Sequence, residues 1–273
     1  MTIRSASAPR GSRALLVYAV AYVAFLYAPV ILLPLFSFND SAFVTFPLSG
    51  FTTRWYRELA ADGAMHAALW NTIKVGTVAA LGSTILGLLA AKALSQGRVP
   101  GRSALLAVTN LPLFVPEIVL GIALLLLLTT VGVPLSLVSV TIGHLLICLP
   151  FALAVLMARF EGFDPSLEEA SRDLGEGGWM TFWRVTFPLM LPGIVSSLLL
   201  TFIVSFDDFM IAFFLSGTEA TLPVYIWGEL RFPARLPRVL ALGAAILVGS
   251  ALVIVLAEWL RRSDAGRSAR TEA

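Results

Sequence analysis

The chain has 273 residues, 58% of them hydrophobic and only 13% charged, and its mean hydropathy of +0.88 is too high for a soluble domain of this length. A formal net charge of +2 excludes the basic excess that nucleic-acid binding needs, and a single cysteine, Cys148, excludes an internal disulfide framework or a cysteine-rich metal site. This is the composition of an all-α polytopic membrane protein.

A helix crossing about 30 Å of hydrocarbon needs roughly 20 apolar residues. Apolar runs of that length predict six spans in one transmembrane domain covering residues 1–273, at about 14–36, 71–93, 104–130, 137–158, 189–215 and 239–258. Arg4, Arg10 and Arg13 ahead of the first run also suit a signal peptide. The run is longer than the roughly 7–15 apolar residues of such a peptide, and no small-x-small site precedes Asn39, so a retained helix is expected. Gly132-Val133-Pro134 divides the third span from the fourth. Cys148, within the fourth, reads as helix packing. The Arg/Ser/Ala tail after Arg262 is expected to be unstructured.

With six spans, thirteen of the nineteen basic residues fall on one side: Arg4, Arg10, Arg13, Lys92, Arg98, Arg102, Arg159, Arg172, Arg184, Arg261, Arg262, Arg267 and Arg270. The positive-inside rule makes that side cytoplasmic, together with both termini and a loop at 159–188. On the opposite side, Trp55, Tyr56, Trp70, Tyr225 and Trp227 fit interfacial anchors or a docking surface.

Enzyme chemistry has little to work with. The two lysines, Lys74 and Lys92, lie outside any Gly-Lys-Ser/Thr sequence, so there is no P-loop for ATP. His66 and His144 do not form an HExxH pair, and His144 reads as a packed or hydrogen-bonded helix residue. No metal or cofactor is implied.

The loop at 159–188 carries more charged residues than any other interval between the apolar runs. Pro165-Ser166 starts a helix, Glu168 and Glu169 occupy a first turn that favours acidic groups, and Gly175 supplies its end. A second piece from Trp179 to Phe187 leads through Pro188 into the fifth span. The order Glu169-Ala170-Ser171, three residues, Gly175, nine residues, Val185-Thr186-Phe187-Pro188 resembles the EAA loop of permease subunits in binding-protein-dependent ABC importers, with serine, valine and phenylalanine as mild departures. That resemblance implies a type I importer permease fold of the MetI-like kind, in the inner membrane. It also implies a coupling helix built on Glu168, Glu169, Ala170, Ser171 and Gly175 that docks into a separate ATPase subunit. The other partners implied are a second permease chain, an ATPase pair, an extracytoplasmic solute-binding protein and membrane lipid.

The segments SFND (37–40), FTTRWYREL (51–59), NTIKVGT (71–77), LPLFVPEIVLGIALLLL (111–127) and SFDDFMIAFFLSG (205–217) narrow the resemblance to the spermidine/putrescine branch. Independently of it, a carboxylate at bilayer depth costs about 2.5–3.5 kcal/mol, so Glu117, Asp207 and Asp208 should face protein or a water-filled path. Glu117 falls about 18 Å beyond Leu105 on a continuous helix, and Pro112 and Pro116 free carbonyls that attract cations. Neighbours on a regular helix point about 100° apart. Asp208 then shares a stripe with Ser197, Thr201 and Ser205, while Asp207 points among Ile203, Met210 and Phe214. Asp208 is thus the expected pathway carboxylate unless the helix unwinds there. The stripe Phe202, Phe206, Phe209 and Phe213 fits packing or cation-π contact. Midplane carboxylates also suit an ion-coupled secondary transporter; the coupling loop argues for the ATP-driven class.

Overall fold

A computed structural model of the chain describes residues 10–41, 47–96 and 99–271. Arg4 and Arg98, both counted in the charge asymmetry, lie outside these residues. In chain order the α-helices are α1 (Arg10–Ser37), α2 (Arg54–Ala60), α3 (Gly63–Gln96), α4 (Arg102–Phe114), α5 (Glu117–Thr130), α6 (Leu137–Glu161), α7 (Ser166–Asp173) and α8 (Gly178–Thr181). They continue with α9 (Phe187–Asp207), α10 (Met210–Leu215), α11 (Leu222–Leu230) and α12 (Leu236–Thr271). Among the described residues, five helical stretches are long and apolar enough to cross a membrane, and α4 with α5 makes a sixth if the bent pair is one span.

The larger compact unit, Gly63–Trp227, is built on α3, α6 and α9. At one end, Leu88, Ala91 and Leu94 of α3 meet Leu153, Leu156 and Phe160 of α6 and Met190 and Ile194 of α9. Toward the other end, Val75, Val140, Ile147 and Cys148 pack with Leu124 and Leu128 of α5 and Ile211, Ala212 and Leu215 of α10. Small residues allow this approach: a Cβ at Gly143 would lie 2.4 Å from Ile211 and 2.9 Å from Leu215. Helix α6 starts on a capping box, with the Ser136 N–H donating to Ser139 Oγ at 2.7 Å. The same Ser139 hydroxyl lies 2.8 Å from the Leu215 carbonyl, which fastens the end of α10 to the start of α6.

Two of the expected spans are broken. The run at 104–130 bends by 106° between α4 and α5. Pro116 lacks an N–H and forces its predecessor out of the helical region, so Val115 is extended at φ −91°, ψ 130°. The run at 189–215 stops at Asp207 and resumes at Met210, with Asp208 extended at φ −65°, ψ 126°.

In the other unit, formed by Met1–Asp62 and Gly228–Ala273, α1 and α12 pack along one another and α2 joins α12. The indole of Trp55 donates to the Asn39 carbonyl at 2.8 Å, and Ser37 and Tyr56 share a hydroxyl hydrogen bond of 2.6 Å. Buried Glu229 accepts from Arg235 at 2.6 Å and Arg238 at 2.7 Å. Helix α12 runs past Arg262 to Thr271, where an unstructured tail was expected; alanine and arginine in this stretch favour helix.

Candidate functional site

Helix α7 separates its two glutamates sharply. Glu168 is 3% exposed, whereas Glu169 and Ala170 face outward. The Glu168 carboxylate accepts from Lys92 Nζ at 2.8 Å and Arg172 at 3.4 Å, and the Thr186 hydroxyl also donates to it. Lys92 belongs to the last turns of α3, and Thr186 closes a π-helical turn, Phe182–Thr186, that feeds α9. The buried glutamate therefore ties the short helix to two long ones. Ser171, also buried, bonds Thr181 at 3.1 Å.

The helix ends in a Schellman motif: Gly175 N–H donates to the Arg172 carbonyl and Glu176 N–H to that of Ser171. Gly175 has φ +89°, a conformation that costs any residue with a Cβ, and open space surrounds it. Beyond it, Glu176 pairs with Arg184. Leu174, 87% exposed, and Trp179, 72% exposed, are exposed apolar residues following α7, and the Trp179 ring meets that of exposed Trp183 edge-on. At the other end of α7, the hydroxyl and N–H of Ser166 bind Asp164 and hold its carboxyl below the usual carboxylate range.

The two helix breaks meet at a cavity of about 670 Å³. Pro112, Leu113 and Val115 line it from the end of α4, Glu117 from the start of α5, Ile147 and Phe151 from α6, and Ile203, Val204, Asp207, Asp208, Phe209 and Met210 from the second break. Glu117 and Asp207 are exposed and make no ion pair or side-chain hydrogen bond among the described residues. Asp207 ends α9, where the helix dipole disfavours a negative charge and favours a cation beside it.

Asp208 is placed differently. It is 8% exposed, its Oδ2 accepts the Ala212 N–H at 3.0 Å, and it lies 3.0 Å from His144 Nε2. The stripe expected from the sequence exists, but it faces protein. Ser197 bonds Thr84 of α3 at 3.0 Å, the Thr201 carbonyl receives the Cys148 thiol of α6 at 3.4 Å, and Ser205 bonds His144 Nδ1 of α6 at 2.6 Å. The rotation argument that favoured Asp208 over Asp207 presumes a continuous helix; the break leaves Asp207 exposed at the cavity while the buried Asp208 carboxylate accepts the Ala212 N–H in the first turn of α10. The aromatic stripe is divided by the same break into ring pairs, Phe202 with Phe206 at 5.7 Å and Phe209 with Phe213 at 5.3 Å. Of the four, Phe209 reaches the cavity wall.

Lys92, Thr186 and His144 were not singled out as working residues by sequence. For Lys92 a signal existed: it is one of two lysines among nineteen basic residues.

The comparisons agree on one family. A family model described as a binding-protein-dependent transport system inner membrane component matches residues 83–263. The putrescine transport system permease protein PotI of Escherichia coli (strain K12) is 35% identical over 243 residues, covering 86% of this chain and 85% of the relative. The spermidine/putrescine transport system permease protein PotC of the same organism is 30% identical over 246 residues, covering 90% and 92%. Among solved structures, a bacterial ABC transporter involved in import of the acidic polysaccharide alginate superposes with a TM-score of 0.71 at 20% identity, over 92% of this chain and 99% of that one, which shows a shared fold. The match over more than half the chain and the two long alignments show that this protein belongs to the binding-protein-dependent transport system inner membrane components, as a permease subunit of an ABC importer.

Proposed function

We propose that this permease conducts a small polycation, a polyamine of the spermidine or putrescine type, from an extracytoplasmic binding protein to the cytoplasm. The observation that carries this reading is the cavity at the two helix breaks, where Glu117 and Asp207 are exposed and unpaired among the described residues. A polyamine presents several ammonium groups on an alkyl chain, matching separated carboxylates on apolar walls. The relatives' names support the same solute class.

ATP hydrolysis falls to a separate pair of ATPase subunits, which dock on the outward face of α7 through Glu169 and Ala170 and on the apolar surface of Leu174 and Trp179. Glu168, Ser171 and Gly175 hold that face in shape. A second permease chain completes the pathway. Both termini and residues 159–188 are cytoplasmic, so a cysteine introduced by Ser166→Cys reacts with an impermeant reagent only after the cell is opened.

The deciding experiment is uptake of labelled spermidine and putrescine into proteoliposomes holding the whole complex and its binding protein. Accumulation with enclosed ATP and none with an ion gradient alone is expected. Gradient-driven uptake without ATP would replace this reading with an ion-coupled transporter.

A further inference from the structure

Between the cavity and the core of α6 lies a buried polar group that the transport reading leaves without a role. His144 is 1% exposed, and Ser205, 2% exposed, approaches its Nδ1 at 2.6 Å. On the other side of the ring, Nε2 lies 3.0 Å from Asp208 Oδ2. Nε2 makes this close approach without an aligned hydrogen bond among the described residues. Ser205 belongs to the last turn of α9, and Asp208 is the extended residue that follows it. One imidazole therefore touches the chain on both sides of Asp207.

No proline or glycine lies between Ser205 and Ile211 to impose this break, unlike the one at Pro116. What holds Asp208 out of the helix is its own contacts: Oδ2 meets the Ala212 N–H ahead of it and His144 beside it. Asp207 lies between fastened Ser205 and Asp208 and makes no ion pair or side-chain hydrogen bond of its own among the described residues.

We propose that His144 is a positioning residue for the substrate pathway: by bridging Ser205 and Asp208 across the break, it fixes the direction in which Asp207 faces the cavity. This rests on the reading of Asp207 as a pathway carboxylate. Loss of the imidazole lets the break rewind or turn, and Asp207 leaves the path although its charge is intact. Glutamine restores the function, because its amide oxygen can accept from Ser205 while its nitrogen donates to Asp208.

The test uses the assembled importer in proteoliposomes, with labelled spermidine as the solute. His144→Ala, His144→Gln and Asp207→Asn are compared at matched permease content. In parallel, the rate at which a cationic thiol reagent modifies Asp207→Cys is measured with His144, alanine or glutamine at position 144. Uptake should fall roughly tenfold or more in His144→Ala, the scale expected when a working group is displaced by about an ångström, and return to within about twofold of normal in His144→Gln. The labelling rate should shift with alanine and remain normal with glutamine. A packing role would instead lower assembly and leave the labelling rate at position 207 unchanged. Normal uptake and labelling in His144→Ala, beside impaired Asp207→Asn, would overturn this inference and leave the pathway reading standing. Normal uptake in Asp207→Asn would overturn the pathway reading itself. If His144→Ala does not assemble, Ser205→Ala, which removes one oxygen, decides: a shifted labelling rate supports the bridge and an unchanged one overturns it.

Discussion

Two pairs of adjacent carboxylates, Glu168-Glu169 on α7 and Asp207-Asp208 at the cavity, follow one plan. In each, one acid is buried and fastened, Glu168 to Lys92 and Thr186, Asp208 to His144 and the Ala212 N–H. Its neighbour is exposed and unpaired by any other side chain among the described residues. The pairs differ in how this is achieved. On α7 the helix is intact, and the 100° rotation between neighbours does the sorting. At the cavity the helix is broken, and an extended Asp208 does it. Adjacent like charges are thus better read as a fastener with a working group than as a doubled site.

Breaking the fasteners should have the largest effects. Glu168→Ala leaves Lys92, its side chain only 24% exposed, without its carboxylate and should cost about 3 kcal/mol of stability, read by thermal denaturation of the purified complex. Glu169→Ala should stay within about 0.5 kcal/mol yet weaken capture of the ATPase in a pull-down. If the two variants lose equal stability, the division of labour on α7 is wrong.

Next comes the cavity pair. Asp208→Ala strands the Ala212 N–H and should cost about 2 kcal/mol. Asp207→Asn removes a negative charge from a helix C-terminus and should be neutral or stabilising by about 0.3–1 kcal/mol. Denaturation midpoints of the two variants, ranked the other way, would reverse the roles assigned here.

Gly175 sharpens the comparison at the end of α7. Its positive φ makes Gly175→Ala cost about 1 kcal/mol, and the open space around it means Gly175→Trp should cost the intact helix little more. Any further loss of substrate-stimulated ATP hydrolysis in the tryptophan variant then measures the partner that fills that space. Equal hydrolysis in both would place the ATPase contact elsewhere.

The smallest effect is a pH dependence at the start of α7. Asp164 is held below the usual carboxylate range by Ser166, so its contribution is present above the unfolded-state value and is lost as pH falls through the lowered folded-state value. Protection of the α7 amides from hydrogen exchange should decline in that acidic window in the native chain and not in Asp164→Asn.

Much of this was legible in sequence for reasons that are local. Apolar run length marks the spans, Pro165 and Gly175 bound α7, and Val115-Pro116 carries the signal for the bend, although the run at 104–130 reads as one helix by hydropathy alone. The second break is not local. Asp208 is extended with its carboxylate on the Ala212 N–H and beside His144 of another helix, and no breaker residue announces this. The Lys92–Glu168 pair joins residues 76 positions apart, which no helical periodicity can connect. The polar stripe Ser197, Thr201, Ser205 and Asp208 shows the complementary case: periodicity identifies a shared face but not whether water or another helix lies against it.

The most direct test of the assigned roles is the initial rate of labelled spermidine uptake by the reconstituted importer carrying Asp207→Asn, normalised to permease content. A charge-assisted contact worth about 1.5–3 kcal/mol corresponds to a fall of roughly ten- to a hundredfold, with assembly and denaturation midpoint preserved. Wild-type uptake in Asp207→Asn would contradict the assignment of the exposed acid to the solute and the buried one to the fold.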